Sequence, residues 1–153
     1  MERLEIEKNP YEDSRIQRLL IQNFNELRLK GTDPFTLDDL LICNSVAIQI
    51  IIPATLSIKD INRYLKLWMA GKTLRRPAYI SYVWVGGDVT TPENILKGIH
   101  HHVKDQNTER NFPKFGTSFV VKGGYDFHSR DGHLATIITE LEDEVRHIVI
   151  YFW

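Results

Sequence analysis

Cysteine is nearly absent: Cys43 stands alone in 153 residues, so no intramolecular disulfide can form and zinc frameworks built on paired Cys spacing are excluded. A lone thiol suits a reducing compartment. Long hydrophobic runs are missing too. The longest, Ala47 to Pro53 and Ile148 to Trp153, fall far short of the ~20 residues of a membrane helix. The N-terminus, MERLEIEKNPYEDSR, is charged every two or three residues and lacks the apolar centre of a secretory signal. An intracellular protein, cytoplasmic or nuclear, is the expectation. Charge of one sign is also lacking, at net −1 and pI 6.6, which argues against a dedicated nucleic-acid binder. No G-x-x-x-x-G-K-[ST], G-x-G-x-x-G or EF-hand pattern occurs, so nucleotide, dinucleotide and calcium readings have no starting point. No cofactor is expected.

What is present suits one globular domain. The chain is 42% hydrophobic and 25% charged, and a domain of this length buries roughly 70% of its extended-chain surface. Residues 1–14, polar and holding Asn9-Pro10, read as a loosely ordered lead-in, with the folded domain at 15–153. Ile16, Leu19 and Leu20 suit a helical turn, and Phe24, Leu27 and Leu29 a short strand ending at Lys30-Gly31. Thr36 caps a helical turn that leads into a buried strand at about Ala47 to Ile52. Leu37, Leu40 and Ile42 before Asn44 resemble a single leucine-rich-repeat unit with its asparagine one place early; one imperfect unit cannot establish a solenoid.

The clearest element is LSIKDINRYLKLWMAG, Leu56 to Gly71. Ser57 is an N-cap, Asp60 its capping-box partner, Leu56 and Ile61 a hydrophobic staple, and Gly71 a left-handed stop. Ile58, Ile61, Tyr64, Leu65, Trp68 and Met69 share its apolar face. AYISYVWV then reads as an interior strand, apolar on both sides. Thr91-Pro92 opens a second helix whose core face is expected to be Ile95, Leu96, Ile99 and Val103. KDQNTERNFPKFG reads as a loop, and Thr117 to Trp153 as three strands joined by turns. The fold class expected is α/β: short helices alternating with strands in a leucine-rich-repeat-like first part, then an antiparallel β-meander.

Three groups of residues invite chemistry. In GGYDFHSRDGHLATI, residues 123–137, Asp131-Gly132 suits a two-residue type I′ turn. Arg130 would then face His133, His128 face Ala135, and Asp126 face Ile137. Asp126, His128, Arg130 and His133 would share one exposed polar face. A hydrolase or metal site around His128 is the weaker reading, because no nucleophile motif surrounds Ser129. His100, His101 and His102 cannot converge on one ion from a helix, where neighbours point about 100° apart. Between residues 59 and 76, Lys59, Arg63, Lys66, Lys72, Arg75 and Arg76 stand against one acid, Asp60. That stripe reads first as a solvated face, and otherwise as a contact for phosphates or an acidic partner.

Taken in order, LDDLLICNSVAIQI, LSIKDINRYLKLWMAG, ILKGI and GGYDFHSRDGHLATI resemble the F-box-associated domain of type 2, over about Phe24 to Trp153. The resemblance implies a protein-interaction module without catalysis of its own, which recruits a protein substrate to a cullin-based ubiquitin ligase. It supplies no catalytic, cofactor or metal residues. The segment before the match is too short and polar for an F-box and has no Leu-Pro opening, so adaptor binding is expected only if an F-box lies upstream. The candidate partner-binding residues are Lys59, Arg63, Lys66, Arg75, Asp126, His128, Arg130 and His133. A binder of nucleic acid or acidic ligands through the Lys59–Arg76 patch is the alternative.

Overall fold

Alternating apolar residues in the first half build short parallel strands, and capped helices return the chain between them. The computed structural model of the protein describes residues 2–7, 15–31, 35–51, 56–73, 77–84, 91–114, 117–142 and 145–153. The elements run β1 (Arg3–Ile6), α1 (Arg15–Leu20), β2 (Glu26–Lys30), α2 (Leu37–Ile42), β3 (Ala47–Ile51), α3 (Ile58–Met69), β4 (Tyr79–Trp84), α4 (Pro92–Ile95), β5 (His102–Lys114), β6 (Thr117–His128), β7 (Leu134–Glu142) and β8 (Val145–Phe152). The eight strands of the described residues join one sheet in the order β1-β2-β3-β4-β8-β7-β6-β5. The first four pair in parallel and the rest antiparallel, with β4 against β8 at the junction.

The helix starts follow from their caps. Thr36 and Ser57 each accept from the amide three residues on, at Asp39 and Asp60, whose carboxylates accept from the cap amides in return. Both boxes satisfy two otherwise orphaned amides. α3 ends as Gly71 predicts: at φ +70°, its amide and that of Lys72 donate to the carbonyls of Trp68 and Leu67, which closes the last turn.

The helices cover one face of the sheet. There Leu27, Ile48, Ile80, Ile150 and Ile137 lie in one register row, packed against Leu20, Leu40, Ile61, Leu65 and Trp68. The other face carries a smaller cluster, Phe112, Val121, Val149 and Tyr151 with Tyr79, Ile138 and Trp153 against it. β4 is interior, as its two apolar sides require.

Three expectations are corrected. Residues 3–6 of the lead-in form edge strand β1, whose Arg3, Glu5 and Lys30 of β2 make exposed ion pairs; residues 8–14 lie outside the described residues. The second helix stops at Ile95, and Val103 is exposed in β5 rather than core. The polar stretch from Lys104 is strand, not loop: before Phe112 every described side chain of this edge strand is exposed or half-buried, and a strand wet on both sides has no apolar alternation to show, while charged side chains are usual at a sheet edge. The leucine-rich-repeat-like start is not established: paired positions step from residue 3 to 26, 47 and 79, and these steps set no recurring period. Strands dominate this α/β architecture.

The β5–β6 hairpin is more than a sheet edge. β6 pairs with β7 only over Tyr125–His128, and its outer half folds with β5 across the helix-free face. Phe112 of β5 thereby meets Tyr151 at 5.0 Å and Trp153 at 5.1 Å between ring centroids. The bend falls at an irregularity between Lys104 and Glu109, opposite Gly123. Only glycine fits at 124: φ is +97°, and a Cβ would lie 2.7 Å from Cγ2 of Thr136.

Burial of tyrosine gives the fold an alkaline limit. Desolvation pushes the hydroxyls of Tyr64, Tyr82 and Tyr151 up from the ordinary value, and Tyr82 donates to the Leu56 carbonyl at 3.0 Å. A raised folded-state value means the unfolded chain releases these protons first. The stabilisation is therefore fully present below about pH 10 and is lost as pH rises toward the folded-state values. Urea midpoints measured between about pH 8 and pH 12 should fall steeply above about pH 10, with tyrosinate absorbance appearing together with unfolding. Ionisation of these phenols without loss of structure would contradict the argument.

Candidate protein-interaction surface

The hairpin tip sets the geometry of the site. Gly132 donates to the Ser129 carbonyl at 2.9 Å, and Ser129 donates to the His133 carbonyl at 2.8 Å. With Gly132 at φ +82°, this is a three-residue loop, a tight turn followed by a glycine in the left-handed region. The two-residue turn expected at Asp131-Gly132 is thus corrected, and the register moves by one: Asp126 pairs with Thr136, Phe127 with Ala135 and His128 with Leu134. Ser129 is buried and its Oγ accepts from the His133 amide at 3.0 Å, which holds the loop shut.

That tip docks on the end of α3. The amide of Arg130 donates to the Met69 carbonyl at 2.9 Å. Phe127, one strand position before His128, meets Trp68 edge-on at 5.9 Å. On the other flank of α3, Asn62 donates through its side-chain amide to the carbonyls of Ile95 and Lys97, at 2.6 and 3.0 Å. It thereby satisfies carbonyls at the end of α4 and ties the two helices together. The NRYLKLW segment thus carries two fasteners, Asn62 toward α4 and Trp68 toward the hairpin.

Between these fasteners lie two adjoining troughs. One, of about 390 Å³, is lined by Ile58, Lys59, Asn62, Lys66, Asn94, Lys97 and Gly98. The other, of about 350 Å³, runs on past Met69, Ala70 and Ile99 to His100, His128, Ser129 and Arg130. Lys66 and Gly98 line both. A Cβ on Gly98 would lie 3.4 Å from Nζ of Lys66, and its φ of +73° suits glycine.

Of the residues expected to meet a partner, Lys59, Lys66, His128 and Arg130 are brought together on this groove. Arg63 is exposed on α3 and His133 on the hairpin, but neither lines the troughs. Arg75 lies outside the described residues. Asp126 is a correction: it is 3% exposed and belongs to no exposed face. Its Oδ1 accepts from the Thr136 hydroxyl at 2.7 Å and its Oδ2 from Arg110 at 2.8 Å. Arg110 also donates to the Gly123 carbonyl at 2.9 Å and lies 5.1 Å from the ring of Trp153, whose indole N–H donates to Thr136 at 2.8 Å. The folded-over arm covers what strand alternation alone would leave in water. Lys97 and His100 were missed as groove residues because the helix expected to carry them stops at Ile95.

Among the described residues no group of three or more His, Cys, Asp or Glu is placed to hold a metal ion. His101 donates through Nδ1–H to the Ile99 carbonyl at 2.8 Å, and His102 opens β5. No helix among the described residues is long and apolar enough to cross a membrane.

Comparison with known proteins bears on the same segment. Residues 15–81 match the model of the family described as F-box associated, in agreement with the resemblance to the type 2 domain. The match takes in α1 through β3, all of α3, and β4 as far as Ser81. No curated protein and no solved structure matches.

Proposed function

We propose that this chain, whose residues 15–81 match the F-box associated family, is a protein-interaction module whose docking face is the groove between α3, α4 and the β6–β7 hairpin. One observation carries the reading. Lys59 and Lys66 from α3 and His128 and Arg130 from the hairpin, some sixty to seventy residues apart in sequence, line two adjoining troughs that share Lys66 and Gly98. The finer role is recruitment of a substrate protein to a cullin-based ubiquitin ligase, with the adaptor engaged through an F-box wherever one is joined to this domain. No catalytic step is assigned to the groove: Ser129 is spent on the loop, and Asp126 lies on the far side of the sheet from α3.

A site-specific photo-cross-linker tests this. Placed at Lys66 or Arg130 of the full chain in extracts, it should trap a protein that a cross-linker at Lys30, on the distant strand β2, does not. Trapping of nucleic acid from the groove positions, or no difference between groove and Lys30 positions, overturns the reading. The nucleic-acid alternative rests on the exposed stripe of Lys59, Arg63 and Lys66 and predicts the first of those outcomes.

A further inference from the structure

The chemistry of the groove specifies its occupant further than its position does. Among the described residues neither trough has Asp or Glu in its lining, while Lys59, Lys66, Lys97 and Arg130 contribute four cations and His100 and His128 two imidazoles. The ion pairs of the described residues involve other cations, Arg3, Arg28, Lys30, Lys104, Arg110 and Lys122. Five backbone carbonyls beside the troughs are already engaged. Asn62 takes those of Ile95 and Lys97, and the amides of Arg130, Gly71 and Lys72 take those of Met69, Trp68 and Leu67. The side-chain charge left for a ligand is therefore positive, and the groove wants acceptors with negative charge.

The floor narrows the choice. Ile58, Met69, Ala70 and Ile99 lie along it, and among the described residues no Phe, Tyr or Trp does. A single-stranded nucleic acid binds chiefly by stacking bases on aromatic rings along a basic track; this lining has the charge without the rings. A peptide whose carboxylates alternate with aliphatic side chains satisfies both features, with charges to the rim and apolar groups to the floor.

Resting on the interaction reading above, we infer that the α3–α4–hairpin groove binds an acidic segment of the partner protein in which Asp or Glu alternates with aliphatic residues. Lys66 is the central contact, since it lines both troughs beside Gly98. Lys97 and Arg130 hold the two ends. Encounter is then steered by charge and weakens with salt.

Fluorescence anisotropy on the full chain tests this, with a labelled twelve-residue peptide of alternating Glu and Leu, its Gln-for-Glu counterpart and a uridine oligonucleotide as probes. The Glu peptide should bind at low salt and the Gln peptide should not. Lys66→Glu with Lys97→Glu should weaken binding about tenfold or more, because each pair turns from attraction to repulsion. Arg18→Glu, an exposed cation on α1, should leave it unchanged. Thermal melts establish folding, and Lys66→Gln with Lys97→Gln replaces the reversal variant if that one unfolds. Equal binding of Glu and Gln peptides, preference for the oligonucleotide, or equal loss in Arg18→Glu overturns the inference. A protein cross-linked in the groove through a segment without acids would sink it while leaving the interaction module standing.

Discussion

Asp126→Ala should lower the stability of the domain by about 3–5 kcal/mol, the range expected when one member of a buried ion pair is removed. The carboxylate is 3% exposed and joins the Thr136 hydroxyl to the Arg110 guanidinium. Its loss leaves Arg110 partly buried with the Gly123 carbonyl and the Trp153 ring as its remaining partners, along with Lys104 facing an empty position. Most of the cost is therefore the stranded charge rather than the lost contact. Arg110→Met added to Asp126→Leu should recover much of the deficit, since an apolar pair of similar volume leaves no charge uncompensated. Urea denaturation of the two singles and the double measures this. Hydrogen exchange adds the local view: amides of β5 and the outer half of β6 should exchange faster in Asp126→Ala than those of β2 and β3. A loss under about 1 kcal/mol would mean that the arm is held by Phe112 and its neighbours alone.

Trp68→Ala should cost about as much, roughly 3–5 kcal/mol, and should act on the other side of the sheet. Trp68 is 1% exposed and meets Phe127 at 5.9 Å and Phe152 at 4.9 Å. Truncation opens a cavity where α3, the hairpin and the last strand converge, so the docking groove should lose order together with stability. With total stabilities of about 5–15 kcal/mol usual for domains, the variant is expected to be partly unfolded near body temperature. Trp68→Phe should cost much less. It keeps a ring in the cavity and removes an indole N–H that is buried without a hydrogen-bond partner, a group whose burial is itself unfavourable. Thermal melts of the two variants give the comparison, and similar losses in both would show that packing around the ring is loose.

The two effects divide the molecule along its sheet. The helix face, where Trp68 sits, also organises the groove, because the same α3 that buries Leu65 and Trp68 exposes Lys59 and Lys66. The Asp126 network stands on the opposite face and has no part in the groove. A variant that damages binding without moving the melting point should therefore map to Lys66, Lys97 or Arg130, and one that moves both should map to Trp68.

Much of the fold is legible in the residues themselves. The cap at Thr36, the capping box at Ser57, the stop at Gly71, the strand at Ala47 and the two-sided apolar strand at Tyr79 are legible from groups close together in the chain, and the structure has each of them. The first two motifs that resemble the F-box-associated domain, LDDLLICNSVAIQI and LSIKDINRYLKLWMAG, lie on those same elements. The hairpin at Asp131-Gly132 is legible too, but its register is not. Two-residue and three-residue loops both accept Asp-Gly, and the choice between them is made by Ser129 closing the longer one and by Met69 holding Arg130.

What only the tertiary structure decided is which polar residues are wet. Asp126 and Arg130 look alike in sequence, each charged and on one face of a predicted strand. Asp126 is buried because the β5–β6 arm bends at Gly123 and Gly124 and brings Arg110 onto it. Arg130 stays exposed because it sits beyond the end of the pairing, on α3. Local interactions fix where the capped helices begin and where α3 ends, since those hydrogen bonds close within a turn, while a strand is marked in sequence only by its alternation and pairs with residues far along the chain. Burial depends on what arrives from elsewhere in the chain, and neither composition nor periodicity encodes that arrival. The groove that joins Lys66 to Arg130 is a product of that second kind of information.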